Sequence, residues 1–146
     1  MLSASLLDVN VLIASVYEWH VAHERAYGWW REAAGKPWAT CPLTQAGFVR
    51  IISNRRFHEH PVNVPEALEL LAAVTQRPGH RFWPMEITLA EAVQPFQERL
   101  FGHHQVTDAY LLGLAIRNQG RLVTLDRGIE VLVGEGHRQH VTVLEG

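Results

Sequence analysis

Apolar and polar positions alternate along the chain in segments, and the switches between periods mark the elements. Ser5 to Leu7 reads as a short buried strand, and Val9 to Val16 continues apolar with no Gly or Pro, so a strand-to-helix switch is expected around Asp8 to Asn10. Tyr17 to Ala34 carries Trp19, Ala22, Ala26, Trp29 and Trp30 at helical spacing and closes on Gly35 and Pro37, the pattern of an amphipathic helix. Trp38 to Cys41 predicts a second strand, ended by Pro42, and Leu43 to Ser53 a helix that runs into the basic turn Asn54-Arg55-Arg56-Phe57-His58. Asn63 and Glu66 form a capping box with Pro65 in the first turn, for a helix to about Gln76. His80 to Trp83 is the third strand, and Thr88 with Glu91 repeats the box for a helix to about Phe101. After a loop at 102–105, Thr107 is the expected cap of the strongly apolar helix Asp108 to Asn118, which stops at Gly120. Arg121 to Leu125 is the fourth strand, Ile129 to Val133 a short helix, and His140 to Leu144 a last strand.

Short strands separated by helices predict an α/β domain with a mostly parallel sheet. With no repeat and no linker, residues 1–146 are expected to form one domain. Composition changes this picture little: 47% hydrophobic and 19% charged residues describe a globular chain without a disorder signature. A net charge of -2 gives no global attraction for nucleic acid, so such binding needs a local basic patch. The densest one is Arg50, Arg55 and Arg56 with His58. Cys41 is the single cysteine, which excludes an internal disulfide and a Cys-rich zinc site and fits a reducing compartment. The stretch Ala109 to Ile116 is too short to span a bilayer and no basic leader opens the chain, so a cytoplasmic protein without membrane attachment is expected.

The candidate chemistry lies in the aspartates. There are three, Asp8, Asp108 and Asp126, against twelve glutamates, and each sits at the start or end of an apolar segment. Burying a lone carboxylate costs several kcal/mol or more, so Asp8 in an apolar run must sit at a strand exit, be paired, or meet a cation. Ligands of open α/β sheets gather at the carboxyl ends of the strands, where Asp8, Asp126 and the helix opened by Asp108 can meet. Carboxylates brought together repel, and all-oxygen groups of this kind suit a hard divalent ion, Mg²⁺ or Mn²⁺. Such an ion activates water and neutralises phosphoryl charge, so phosphodiester hydrolysis follows as a reaction class. Asn10, Thr107 and Thr124 are short polar groups placed to hydrogen-bond the ligands or the substrate. His103 and His104 precede Asp108 and are within reach of substrate, whereas His20 and His23 share a helix face without a third ligand for zinc. Trp29 and Trp30 cannot both face inward on one helix, which reserves one of them for an interface.

The segments Leu7-Asp8-Val9-Asn10-Val11-Leu12, Thr107-Asp108-Ala109-Tyr110-Leu111 and Thr124-Leu125-Asp126-Arg127-Gly128, in that order, resemble PIN-domain nucleases, in particular the VapC-type ribonuclease toxins of toxin–antitoxin pairs. The resemblance implies a three-layer α/β/α fold, Mg²⁺ or Mn²⁺ at an acidic site, endonucleolytic cleavage of RNA, a homodimer, and an antitoxin that blocks the site. It places Asp8, Asp108 and Asp126 at the family's acidic positions and Asn10 and Thr124 at the polar ones beside them. One departure stands out: the family's usual glutamate on the helix after the second strand is replaced by Gln45, which can ligate a metal or hold a water but brings no charge. Two rivals stay open at this stage. One is a PIN-like domain that binds RNA or a partner without cutting; the other is a phosphatase of another α/β family with Asp8 as nucleophile, against which Asn10 speaks because a second acid is expected there.

Overall fold

A computed structural model describes residues 2–145. Five strands, β1 (Ser5–Leu7), β2 (Trp38–Thr40), β3 (His80–Phe82), β4 (Arg121–Thr124) and β5 (Val141–Val143), form one sheet in the order β3-β2-β1-β4-β5. Every pairing is parallel: Leu6 faces Ala39 on one side and Leu122 on the other, and Leu122 in turn pairs with Val141. Parallel strands require crossovers, which the helices supply.

Alternation within these short strands divides the core in two. Leu6, Ala39 and Leu122 point to one face, where α5 (Leu89–Val93), α6 (Val106–Arg117) and α7 (Ile129–Val133) cover them with Ala92, Leu112 and Leu132. Leu7, Trp38 and Val123 point to the other, under α1 (Val9–Val16), α2 (His23–Glu32), α3 (Pro42–Ile52) and α4 (Val64–Thr75). The result is the expected three-layer α/β/α sandwich. No helix among the described residues is long and apolar enough to cross a membrane.

Most expected elements are present, including the reciprocal Asn63–Glu66 capping box of α4, with bonds of 2.8 and 3.3 Å. Three expectations need correction. The helix foreseen over Tyr17 to Ala34 begins only at His23, because the Tyr17 N–H still closes α1 on Ile13 and the His20 ring accepts from the Ala22 N–H at 3.0 Å, folding residues 17–22 into turns. The helix foreseen from Thr88 to Phe101 is α-helical only to Val93 and tightens into a 3₁₀ turn over Gln94–Arg99, at Pro95, which has no N–H for an i to i−4 bond. Thr107 does not cap α6: a 3₁₀ turn over His103–Gln105 runs directly into that helix, and the Gln105 side chain takes up the Phe101 and Gly102 N–H groups at 2.8 and 3.0 Å. Trp29 and Trp30 are both half-buried against the α1–α4 core, with Trp30 edge-on to Trp38 at 4.6 Å, so neither is given up wholly to the surface.

Candidate active site

Asp8 stands at the exit of β1, where its N–H still donates to Val123 of β4 while its carboxylate begins α1. Oδ1 accepts from the Val9 N–H at 2.7 Å, and Oδ2 accepts from the Thr124 hydroxyl at 2.7 Å. A strand residue thus turns into a helix cap without leaving the sheet edge. Only 8% of Asp8 remains exposed. Burial raises its pKa above the ordinary carboxylate value, the Thr124 and Val9 hydrogen bonds oppose that rise, and the charge of Asp126 adds to it.

Thr124, at the end of β4, is the hub of the edge. Its buried hydroxyl donates to Asp8 and accepts from the Asp126 N–H at 3.1 Å. Asn10 bridges the same two elements, taking the Leu125 N–H at 3.3 Å and directing its amide nitrogen at Thr124 Oγ1 at 3.5 Å. Asp126 is exposed and accepts from the Gly128 N–H at 2.8 Å, an Asx turn that leaves the carboxylate otherwise open.

Asp108 lies in the first turn of α6 and has no hydrogen-bond partner among the described residues. Burial first, and then the charges of Asp8 and Asp126, push its pKa up to about 6. The three aspartates singled out in the sequence therefore share one electrostatic environment. No lysine or arginine offsets them: the one ion pair among the described residues, Arg127 with Glu145, is exposed and lies outside the trio. An uncompensated set of carboxylate oxygens fits a hard divalent cation. Among the described residues no group of three His, Cys, Asp or Glu is arranged to hold a metal ion by itself.

Gln45 enters from α3. That helix crosses the first turn of α1 so closely that a Cβ on Gly47 would stand 2.7 Å from Val9 Cγ2, which sets the second turn of α3 beside the residue following Asp8. The Gln45 amide nitrogen donates to Thr40 Oγ1 at 2.9 Å, and Thr40, fully buried, shares a 2.8 Å hydrogen bond with His80 Nε2. Anchoring through nitrogen leaves the Gln45 carbonyl oxygen as its free acceptor. Sequence reasoning missed this Thr40–His80 support, since nothing local links the two residues.

The remaining candidates, Arg50, Thr107 and His104, are all exposed. Arg50 is exposed five residues beyond Gln45 and shares with it a groove between α3 and α4, whose walls include Val49, Val64, Leu68 and Leu71 and whose volume is about 620 Å³. Thr107 is exposed and lines a second, apolar hollow of about 400 Å³ with Leu43, Met85, Leu89 and Val106. His104 is exposed, its ring 3.9 Å from that of His103. Among the described residues, neither the two histidines nor Arg50 forms an ion pair with the carboxylates.

A parallel sheet that gathers uncompensated carboxylates at its carboxyl edge is chemically suited to bind a divalent ion together with phosphoryl oxygens. Comparison with known proteins agrees. The PIN domain family model matches residues 5–134, and the chain belongs to the PIN-domain family. It is 42% identical to ribonuclease VapC44 of Mycobacterium tuberculosis over 141 residues, covering 96% of this chain and 99% of the relative. Ribonuclease VapC39 of the same species is 42% identical over 125 residues, covering 86% and 90%, and ribonuclease VapC38 39% identical over 140 residues, covering 96% and 97%. A chain in the crystal structure of VapBC2 from Rickettsia felis bound to a DNA fragment from their promoter superposes with a TM-score of 0.60 over 88% of this chain and 92% of that one. At 11% identity this shows likeness of fold.

Proposed function

We propose that the whole chain acts as one domain, a divalent-metal-dependent endoribonuclease that is the toxin of a toxin–antitoxin pair and hydrolyses RNA phosphodiester bonds. The observation that carries this reading is the field that Asp8, Asp108 and Asp126 share with no cationic side chain to relieve it; burial first, and those charges after it, hold Asp108 near pKa 6. Asp8, Asp108 and Asp126 hold the ion, Mg²⁺ or Mn²⁺, which when bound neutralises phosphoryl charge and lowers the pKa of water. Thr124 fixes the Asp8 carboxylate and the backbone of Asp126, and Asn10 holds Thr124 and the Leu125 N–H in place, by the hydrogen bonds described above. Gln45 offers its carbonyl oxygen, directly or through water, where the family has a charged group. Arg50, Thr107 and His104 meet the substrate, Arg50 at its phosphates. The protein works in the cytoplasm, where its RNA lies.

The test is Asp126→Asn, a change that keeps the Gly128 hydrogen bond and so the turn. Purified variant and parent are compared on RNA with Mn²⁺, and a fall of about a hundredfold or more is expected; equal rates would sink the assignment. The phosphatase reading loses ground, because both Asp8 oxygens are engaged and the side chain is buried, which suits a ligand better than an attacking nucleophile.

Two partners complete the reading. The antitoxin lays an apolar segment in the α3–α4 groove, and a second copy of the chain makes a homodimer. Leu68→Glu should abolish neutralisation by the antitoxin while sparing cleavage, and sedimentation should give a dimer for the parent; intact neutralisation or a monomeric parent would refute the respective assignment.

A further inference from the structure

The far ends of α1 and α3 meet in a cluster of aromatic rings that neither the core nor the acidic edge explains. Trp19 stacks on His58 with ring centres 4.5 Å apart and planes at 18°. Phe57 and Tyr17 flank the indole at 5.3 and 5.2 Å and touch each other edge-on at 5.4 Å. Tyr17 and Phe57 are half-buried against the α1–α4 core, so the cluster has a fixed base, whereas Trp19 stands above it 48% exposed. Arg55 and Arg56, both exposed, sit in the same turn as Phe57 and His58. Glu18 and Glu59 are the acids of the two loops, yet neither closes on an arginine, because Arg127–Glu145 is the one ion pair among the described residues.

We infer that this patch is a base-stacking platform for a single-stranded stretch of the RNA, with a base on the exposed indole of Trp19 and the flanking phosphates on Arg55 and Arg56. The inference rests on the nuclease reading for the identity of its ligand. Three observations favour nucleic acid over a protein partner. Rings with exposed π-surface beside unpaired cations are the two components that single-strand binding combines. The net charge of -2 requires a local basic patch, and this turn belongs to the densest one in the chain. Both helices that end here begin at the acidic edge: α1 starts at Asp8, and its eight residues span about 12 Å, the reach of a few nucleotides. An unstacked strand lying at the carboxylates can therefore extend along α1 and α3 to the rings, whereas a duplex cannot offer its base faces.

The experiment is fluorescence anisotropy with an end-labelled, unstructured oligo(A) RNA in EDTA, where binding is read without cleavage. Trp19→Ala should weaken binding about 5- to 150-fold, the range for losing one stacked base, and Trp19→Phe should stay within about threefold of the parent because it keeps a ring. The double variant Arg55→Ala/Arg56→Ala should flatten the dependence of log K on log salt by about 0.7 for each phosphate released. Unchanged affinity in Trp19→Ala overturns the platform, as does a parent chain that fails to bind, or an equal loss in Trp19→Phe and Trp19→Ala. Unchanged RNA affinity joined to weaker binding of a protein partner also overturns it. Cleavage with Mn²⁺ run in parallel separates the two readings. A parent that binds through Trp19 but does not cut defeats the nuclease assignment alone, and one that cuts with the same KM in Trp19→Ala defeats the platform alone.

Discussion

Asp108→Asn should make the metal-free protein more stable while destroying its activity. In the folded chain Asp108 is half-buried, lacks a hydrogen-bond donor, and faces the charges of Asp8 and Asp126, so its pKa stands near 6 against an ordinary 3.8. That elevation is worth at most ~3 kcal/mol at neutral pH. Asp108 is partly open to solvent, and screening halves that figure to about 1.5 kcal/mol. Its place in the first turn of α6 returns some 0.5 kcal/mol through the helix dipole, which asparagine forfeits. The net gain is about 1 kcal/mol, or roughly 3 °C in Tm for a domain of this size. The sign follows from proton linkage. Between 3.8 and about 6 the native state binds more protons than the unfolded one, so the parent loses stability as pH rises through that window and the loss is complete above it. The advantage of Asp108→Asn should accordingly be full at pH 7 to 8 and nearly gone at pH 4. Urea melts in EDTA at the two ends of this range measure it. Added Mn²⁺ should reverse the order, stabilising the parent and leaving the variant unmoved. A variant less stable than the parent at pH 8, or equally favoured at pH 4, would refute the claim that the trio stores charge repulsion for a cation.

The other predictions concern the supports of this edge. Thr124→Val removes the hydroxyl that donates to Asp8 and accepts from Asp126, and with Thr124 only 1% exposed it should cost about 2 kcal/mol, whereas Thr124→Ser should cost less than about 1 kcal/mol; equal denaturation midpoints for the two variants would contradict the network. Gln45→Glu should fold normally, because Thr40 can donate to the new carboxylate once His80 Nε2 donates to Thr40. It should also tighten Mn²⁺ binding about tenfold, equivalent to ~1.4 kcal/mol, and unchanged affinity by calorimetry would place Gln45 outside the site. Gly113→Ala tests the opposite layer: its Cβ would fall 2.2 Å from the Ala92 carbonyl oxygen, so α5 and α6 must part and stability should drop by about 2–3 kcal/mol or more. A melt within 0.5 kcal/mol of the parent, the ~0.5 kcal/mol range of neutral surface changes, would contradict that packing.

What the sequence discloses depends on the range over which each feature is determined. The carboxylate trio is legible because each aspartate interrupts an apolar segment at a point where a parallel sheet must end a strand or begin a helix, and topology then brings β1 and β4 side by side. The Asn63–Glu66 box is legible because its two hydrogen bonds close within one turn. Tyr17 to Ala22 deceives, since Trp19 and Ala22 share the spacing of a helix face while the His20 ring takes a backbone N–H that a helix would need elsewhere. Thr107 deceives in the same way, as Gln105 collects the free donors one step earlier and the helix grows out of a 3₁₀ turn. The Thr40–Gln45–His80 chain and the Trp19–His58 stack are absent from any local pattern, their partners being separated by 40 and 39 positions, and they appear only once β2 pairs with β3 and α1 packs on α3. Local rules thus locate the charged groups proposed to hold the ion, whereas the neutral groups beside them are assembled by tertiary packing. For that reason the part of Gln45 in the site is not judged from position 45 alone: it depends on Thr40 and His80, which decide where the amide oxygen is left to point.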